Sequence, residues 1–203
     1  MIAICPKCGS YKWNKEVDGN QIFCPECGNR WEFVKKSLYV LTGCSGIGKT
    51  TTAQEMMKRT ADFVVLDADM FHSIMPHYTD EDYFAQVEQI GSLSKNIMQC
   101  GKPVIWAKAG NIDMFPKTYH ARFFDRIHVL ALVCEEGSLR KRMTEGRHIT
   151  DTDWINSSVD YNNYFMMHNQ IGNVEFDTLD TEGKSVCDVA EEVLKWMKEK
   201  ERE

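Results

Sequence analysis

Residues 38–52 read LYVLTGCSGIGKTTT, and this stretch decides the fold. Residues 38–42 are apolar and rich in β-forming side chains, which predicts a strand. Residues 43–50 fit the pattern G-x-x-x-x-G-K-[ST] at every fixed position. Glycines at these positions let backbone N–H groups turn inward around a phosphate, and the helix that follows adds its positive end. The stretch therefore predicts a strand, a phosphate-binding loop and a helix that together hold a nucleotide.

Each polar residue of this loop has an expected task. Lys49 is expected to reach the β- and γ-phosphates of ATP, and the Thr50 hydroxyl to bind Mg²⁺. The pattern does not distinguish ATP from GTP. The nucleotide-binding residues predicted in the loop are Gly43, Ser45, Gly46, Ile47, Gly48, Lys49, Thr50 and Thr51.

Two C-x-x-C pairs precede the loop. Cys5 and Cys8 form the first pair, and Cys24 and Cys27 form the second, with 15 residues between them. This spacing is typical of a Zn²⁺ site, because each pair curls around one side of the metal and four thiolates complete a tetrahedron. A redox-active C-x-x-C needs a βαβ setting, which is absent here. Four thiolates leave no open coordination position, so the expected zinc is structural.

Residues 1–36 resemble a zinc ribbon, with short strands around the two cysteine pairs. The segment carries six Lys/Arg and four Asp/Glu, and zinc with four thiolates brings it close to neutral. A docking or folding module is therefore favoured over a nucleic-acid grip, although both a protein partner and a nucleic acid stay open. Trp13, Trp31 and Phe33 are expected to form its small core, with an exposed stacking face as the alternative.

Composition limits the remaining possibilities. The chain has 203 residues and a net charge of −6, which argues against a general affinity for nucleic acid. No apolar run approaches the roughly 20 residues that span a bilayer, and the first residues do not resemble a signal peptide. We expect a cytoplasmic protein, in which the eight cysteines stay reduced.

Apolar strands alternate with helices after residue 37. This order predicts an α/β fold, a P-loop NTPase with a five-stranded parallel sheet flanked by helices, preceded by the small β zinc ribbon. The predicted domains are 1–36 and 37–203. The strands after the first are expected at 62–67, 102–107, 126–134 and 174–180, and helices at 80–101, 115–124 and 151–169, with a charged helix between the last two and a closing amphipathic helix.

Residues 37–200 resemble the small P-loop kinases, especially the gluconate and shikimate kinase group, with adenylate and nucleoside kinases beside it. The stretch LDADMFH, residues 66–72, is similar to the acidic stretch that lies against the acceptor in the gluconate kinase group. The resemblance implies that Asp69, or else Asp67, positions Mg²⁺ or accepts a hydroxyl proton. Residues 70–90 and 110–122 are expected to line the acceptor pocket.

The stretch SLRKRMTEGR, residues 138–147, is similar to the arginine-bearing helix of adenylate-kinase-like proteins. The resemblance implies that Arg142 stacks on the nucleotide base and that Arg147 closes on the phosphates. The family pair is usually four residues apart and this one is five apart, so Arg140 stays open as a substitute. A lid is expected at about 138–169, where Tyr161 and Asn162 are candidates for contact with the substrate.

The third predicted strand ends without an acidic residue, in the sequence VIWAKAG. Many P-loop ATPases carry their magnesium acid there, so motor and translocase functions are disfavoured. The base-reading N-K-x-D of switch GTPases is also missing. Lys108, just past this strand, is either exposed or a ligand for an anionic group.

These features favour an ATP- and Mg²⁺-dependent kinase that acts on a small acceptor, first a nucleoside or nucleotide. Three alternatives remain. They are a sugar-acid kinase, a kinase of nucleic-acid ends that grips the strand with the ribbon, and a non-catalytic nucleotide-binding adaptor.

Overall fold

The computed structural model describes residues 2–75 and 79–203, so part of the predicted acceptor segment 70–90 lies outside the described residues. The ribbon is an antiparallel sheet of β1 (Glu16–Asp18), β2 (Gln21–Phe23) and β3 (Arg30–Glu32). It packs on the rest of the chain through a small apolar cluster in which Ile22 and Phe33 meet Phe123. The ribbon is therefore in direct contact with the larger domain.

A five-stranded sheet forms the centre of the larger domain. Its strand order is β10-β7-β4-β6-β5, and every neighbouring pair is parallel. The nucleotide-loop strand is central, as apolar residues on both faces require. The strands of this five-stranded sheet are β4 (Lys36–Thr42), β5 (Val64–Asp67), β6 (Val104–Ala107), β7 (Phe124–Val133) and β10 (Asp177–Asp180). Two further strands, β8 (Gln170–Ile171) and β9 (Val174–Glu175), form a separate hairpin.

In the described part of the chain, five α-helices cover the two faces of this sheet. They are α1 (Lys49–Arg59), α2 (Asp80–Ile97), α3 (Glu136–Lys141), α4 (Thr152–Met167) and α5 (Val186–Lys200). Side chains alternate along β4, so Tyr39 and Leu41 enter one core with α1 and α5, while Leu38 and Val40 enter the other with α2. This arrangement confirms the predicted fold class.

Local sequence signals fix the starts of two helices. Thr79 caps α2 and Ser185 caps α5, each in a reciprocal capping box with the aspartate three residues later. Such a cap is worth about 0.5–2 kcal/mol. These signals explain why the predicted start of α2 at residue 80 agrees with the structure.

Three expectations about local structure are wrong. Residues 115–124 do not form one helix, because Pro116 and an extended Thr118 divide the segment into two 3₁₀ helices, Ile112–Lys117 and Tyr119–Phe123. Only Asp177–Asp180 of the expected strand 174–180 joins the main sheet. Trp13 is 75% exposed and lies edge-on to Tyr119, so it does not enter the expected ribbon core and agrees instead with the exposed alternative.

No helix in the described part of the chain combines the length and apolar character that crossing a bilayer requires.

Candidate functional site

The carboxyl ends of all five parallel strands lie along one edge of the sheet, and the predicted site residues follow these ends. The phosphate-loop residues 43–48 follow β4, Asp67 ends β5, and Lys108 follows β6. The central strand β4 has β6 on one side and β7 on the other. The loop after β4 therefore lies at the switch point of the sheet, from which the strand order extends in both directions. Open α/β sheets place ligands at this position.

The phosphate loop is shaped by glycine at two close approaches. Gly43 has a φ of 136°, and a Cβ there would lie 2.7 Å from the carbonyl oxygen of Leu132. Gly46 has a φ of 81°, and its Cβ would lie 2.6 Å from Met143 Cγ. Both positions therefore exclude a side chain by conformation and by space. The loop leads directly into α1, whose first residue is Lys49.

Lys49 is held inside this loop. Its Nζ donates to the carbonyl oxygens of Gly43 and Cys44 at 3.0 and 2.8 Å. Burial lowers the pKa of Lys49, while the Cys44 thiol and the carboxylates of Asp69 and Asp67 oppose that shift. The ammonium is thus pre-positioned in the phosphate loop, with two carboxylates near enough to act on it.

The turn at the end of β5, called the acidic turn here, carries Asp67 and Asp69, whose carboxylates have different surroundings. Asp67 caps the 3₁₀ helix Ala68–Ser73, because its Oδ1 accepts the backbone N–H of Asp69 at 3.0 Å. The Asp69 side chain is 70% exposed, and its Oδ1 lies 3.2 Å from His72 Nε2. One oxygen of Asp67 is committed to the backbone, whereas Asp69 has a carboxylate open to a ligand.

Arg142 and Arg147 both reach the phosphate loop. Arg142 Nη1 donates to the carbonyl oxygen of Ile47 at 3.2 Å, and its guanidinium also bonds Thr181. Arg147 Nη1 donates to Ser45 Oγ at 2.9 Å, and its guanidinium lies 5.6 Å from the ring of Trp154. Stacking of Arg142 on a nucleotide base stays a prediction. A cleft that includes Arg142 and Gly146 lies beside the helix.

A π-helical turn explains how both arginines share one side. Residues Arg142–Gly146 form a π turn that continues α3. Hydrogen bonds in such a turn run from residue i to i+5, so residues five apart face the same way. The spacing of five therefore places Arg147 beside Arg142, as a spacing of four does on an α-helix. Arg140 instead bonds Glu136 and Asn156.

The predicted lid segment contains a helix that is anchored in the protein interior. Ile155 and Val159 of α4 belong to one core, and Phe165 belongs to the other. Asn162 is fully buried, and its amide pairs with the backbone N–H and carbonyl of Cys134. Tyr161 lies close to Thr42. Asn162 thus fastens α4 to the end of β7.

The four ribbon cysteines converge on one point. Their sulfur atoms all lie within 4.8 Å of one another, with Cys5 to Cys27 at 3.7 Å and Cys8 to Cys24 at 3.6 Å. These separations exceed a disulfide bond and match the roughly 3.8 Å between thiolates that share a tetrahedral Zn²⁺. The donor set therefore fits a four-thiolate metal site.

Both cysteine knuckles have the same backbone design. In each, the glycine N–H donates to the carbonyl of the first cysteine at 3.0 Å, from Gly9 to Cys5 and from Gly28 to Cys24. Both glycines have positive φ, which glycine adopts without steric cost. The backbone alone holds each loop around the sulfur atoms.

Some residues at the site were not found by sequence reasoning. Thr181 follows β10 and bonds Arg142, and its position at a strand end was the signal available. Gln86 of α2 is buried, and its Oε1 accepts a hydrogen bond from Lys108 Nζ at 3.1 Å. Gln86 lies within the segment 70–90 expected to line the acceptor pocket, but nothing in the sequence singles it out among the many polar residues of α2. A cleft of about 730 Å³ beside Phe124 and Lys200 is lined by Pro116 and Ala121 of the expected acceptor segment 110–122, but by none of the predicted phosphate-loop, aspartate or arginine residues.

A family model described as an AAA domain matches residues 40–163, which is more than half of the chain. The chain belongs to this family. The matched part of the AAA domain protein runs from β4 through the phosphate loop, the acidic turn and both arginines into α4. A comparison with curated protein sequences finds no match.

Solved structures similar to this AAA domain protein include kinases. A sugar kinase from Janibacter sp. HTCC2649 is 19% identical, with a TM-score of 0.58 over 81% of this chain and 95% of that one. A gluconokinase from Sinorhizobium meliloti 1021 is 16% identical, with a TM-score of 0.59 over 84% and 96%. The Mycobacterium tuberculosis APS kinase CysC, in complex with AMPPNP and APS, is 14% identical, with a TM-score of 0.50 over 81% and 99%. At these identities the likeness shows a shared fold.

Proposed function

We propose that the protein is a kinase that transfers the γ-phosphate of ATP to a small acceptor, most simply a nucleoside or nucleotide, with a sugar acid as the second choice. The observation that carries the proposal is the convergence of Lys49, Asp69 and Arg147 on one phosphate loop. Asp69 acts electrostatically on Lys49, and Arg147 bonds Ser45 within the loop. The kinase fold shared with solved structures supports the same conclusion.

The proposed nucleotide site consists of the phosphate loop and the two arginines. Backbone N–H groups of residues 43–48 and the Lys49 ammonium would bind the phosphates. Arg147 would add charge at the γ-phosphate, since a guanidinium makes paired bonds to phosphate oxygens. Arg142 would border the base at the cleft beside Gly146. In phosphoryl transfer, positioning and charge neutralisation supply most of the rate.

Thr50 and Asp69 are the residues proposed to hold Mg²⁺. When bound, the ion neutralises negative charge on the phosphates. The open carboxylate of Asp69 would also accept the proton of the attacking hydroxyl. His72 lies 3.2 Å from this carboxylate and orients it.

The proposed lid is residues 142–151, the part of the expected lid segment 138–169 that lies between α3 and α4. Its arginines already reach the loop, so a small closure of this segment would exclude water from the γ-phosphate. Exclusion of water favours transfer to the acceptor over hydrolysis.

Residues 1–36 are proposed to be a structural zinc ribbon and residues 37–203 the kinase domain. Cys5, Cys8, Cys24 and Cys27 would bind the zinc as thiolates. The Tyr119 hydroxyl donates to the carbonyl of Lys15 at 2.7 Å, and Gln99 makes two hydrogen bonds to the backbone of Val34. These hydrogen bonds attach the ribbon to Tyr119, which precedes β7, and to Gln99, which follows α2.

The proposed activity is tested with a panel of acceptors. Nucleosides, nucleoside monophosphates, gluconate, neutral sugars and a 5′-hydroxyl oligonucleotide are each incubated with ATP and Mg²⁺, and ADP release is measured. The oligonucleotide is included because Tyr11 and Trp13 of the ribbon are exposed. Acceptor-dependent ADP release is the expected result. Tight AMPPNP binding without turnover on any acceptor would instead favour an adaptor.

Replacement of Asp69 by Asn tests its proposed role. We expect kcat to fall by about 10²–10⁴-fold, the usual contribution of a general acid or base, with little change in the affinity for AMPPNP. Asp62→Asn is the matched control, because Asp62 is exposed before β5 begins. Equal rates for Asp69→Asn and wild type would exclude Asp69 from catalysis.

Replacement of Arg147 by Ala tests the arginine at the loop. We expect phosphotransfer to fall by about 10²-fold or more, because a charged donor at the phosphates is lost. Lys141→Ala is the control, since Lys141 is exposed on the same helical segment. If both variants lose the same small amount of activity, general surface charge and not Arg147 is responsible.

A further inference from the structure

Lys108 is a buried lysine beside the proposed nucleotide site, and none of the roles proposed for that site involves it. Lys108 directly follows β6, and its backbone N–H donates to the carbonyl of Leu41 at 3.0 Å, so its position next to β4 is fixed. The residue is 4% exposed. Its Nζ donates to Gln86 Oε1 at 3.1 Å and lies 3.5 Å from the carbonyl oxygen of Ala109. Burial lowers the pKa of Lys108 to about 8, and Asp69 opposes that shift, so the group remains a cation at neutral pH.

This cation lacks a counter-charge among residues 2–75 and 79–203, because none of their carboxylates lies within 4.0 Å of Lys108 Nζ. A second buried lysine, Lys95, shows the contrast, since its ammonium lies 4.5 Å from the ring centre of Phe123. Buried charges in proteins are paired or bind ions. Among the described residues, the Lys108 ammonium contacts neither an aromatic face nor a carboxylate, and its two partners are neutral oxygens.

Two buried hydroxyls, those of Thr42 and Tyr161, lie near this lysine. They are close enough to act on each other, and apart from that neighbour neither has a hydrogen-bond partner within the described chain. Leu41 and Ala107 are register partners in β4 and β6, so Thr42 and Lys108 are the next residues on adjacent strands. Tyr161 lies against Thr42. Unsatisfied buried polar groups that gather at one place indicate a missing ligand.

We propose that Lys108, together with the hydroxyls of Thr42 and Tyr161, binds an anionic group of the acceptor, either a carboxylate or a phosphate. This inference rests on the proposed kinase function and names the class of its acceptor. Asp69 acts electrostatically on both Lys49 and Lys108. Asp69 would therefore meet the acceptor hydroxyl while Lys108 holds the acceptor's charge. Within the proposed acceptors, this arrangement would favour a nucleotide or a sugar acid over a nucleoside, which carries no anionic group.

The test measures, by titration calorimetry, the affinity of each probe for the full chain. AMPPNP and Mg²⁺ are present at saturation, so that the phosphate loop is occupied. The probes form two pairs that differ in charge, AMP with adenosine and gluconate with glucose. We expect the anion of at least one pair to bind about 30-fold or more tightly than its neutral partner. We expect Lys108→Met to remove this difference and to retain AMPPNP binding.

Lys102→Met is the matched control, since Lys102 is exposed before β6 begins. Preference for AMP alone would identify a phosphate, and preference for gluconate alone a carboxylate; both support the proposal. Equal binding of anion and neutral partner, binding of neither anion, or a preference that survives in Lys108→Met would overturn it. If Lys108→Met does not fold, Lys108→Gln replaces it. Failure of the kinase proposal itself is separate, because it would appear as absence of phosphotransfer with every acceptor.

Discussion

Replacement of Lys49 by Ala is expected to lower phosphotransfer by about 10²–10³-fold or more, and also to weaken AMPPNP binding. Among the described residues, Lys49 Nζ bonds the backbone carbonyls of Gly43 and Cys44, so in the proposed site the ammonium is already directed at the phosphates before they bind. A pre-positioned charge does not need to reorganise during the reaction, which makes its loss costly. Steady-state kinetics with the best acceptor of the panel measure the effect.

Lys58→Ala is the control for Lys49→Ala. Lys58 lies on the same helix and makes an exposed ion pair with Glu55, which contributes little to stability. Circular dichroism should show that both variants fold like the wild type. A Lys49→Ala protein that keeps wild-type rates and nucleotide affinity would refute the proposed kinase.

Replacement of Cys24 by Ser is expected to abolish zinc binding and to unfold the ribbon. The buried sulfur of Cys24 lies 3.6 Å from that of Cys8, and a serine oxygen is a poor substitute for a thiolate at such a site. Three buried apolar residues of the ribbon, Ile2, Ile22 and Phe33, share a small core with Phe123, so we expect the proposed metal to supply much of the ribbon's stability. We expect a loss of about 4 kcal/mol or more in the free energy of unfolding of the ribbon.

Elemental analysis of the purified chain measures this effect directly. The wild type should contain about one zinc per chain, and Cys24→Ser none. Cys187→Ser, which removes an exposed thiol far along the sequence, should keep the metal. Iron in place of zinc, recognised by its visible absorption, would contradict the zinc assignment, because four thiolates also suit iron.

The phosphate loop and the cysteine cluster could be predicted from the sequence because their chemistry is local. Gly43 and Gly46 are required by conformation and close contact within one short loop. Each cysteine knuckle is likewise closed by its own backbone hydrogen bonds. A sequence pattern of fixed spacing is therefore enough to predict the position of such sites.

The surroundings of Lys108 and Asn162 could not be predicted, because long-range packing determines them. Lys108 meets Gln86 across 22 residues, and Asn162 meets Cys134 across 28. From the sequence alone, a lysine at the end of a strand is as compatible with exposure to solvent as with burial. Only the packing of α2 against Lys108 decides between the two. The strand at 174–180 was overestimated for a related reason, since the β8–β9 hairpin takes up its first residues.

The π turn at Arg142–Gly146 has a consequence for how this chain is compared with its relatives. A turn that accommodates one additional residue preserves the facing of the arginines while shifting every later position by one. If Arg142 and Arg147 correspond to the family's arginine pair, as proposed, an alignment without a gap here would pair Gly146 with the second arginine. We expect such an alignment to place every residue of α4 one position out of register, and therefore to overstate how far α4 has diverged.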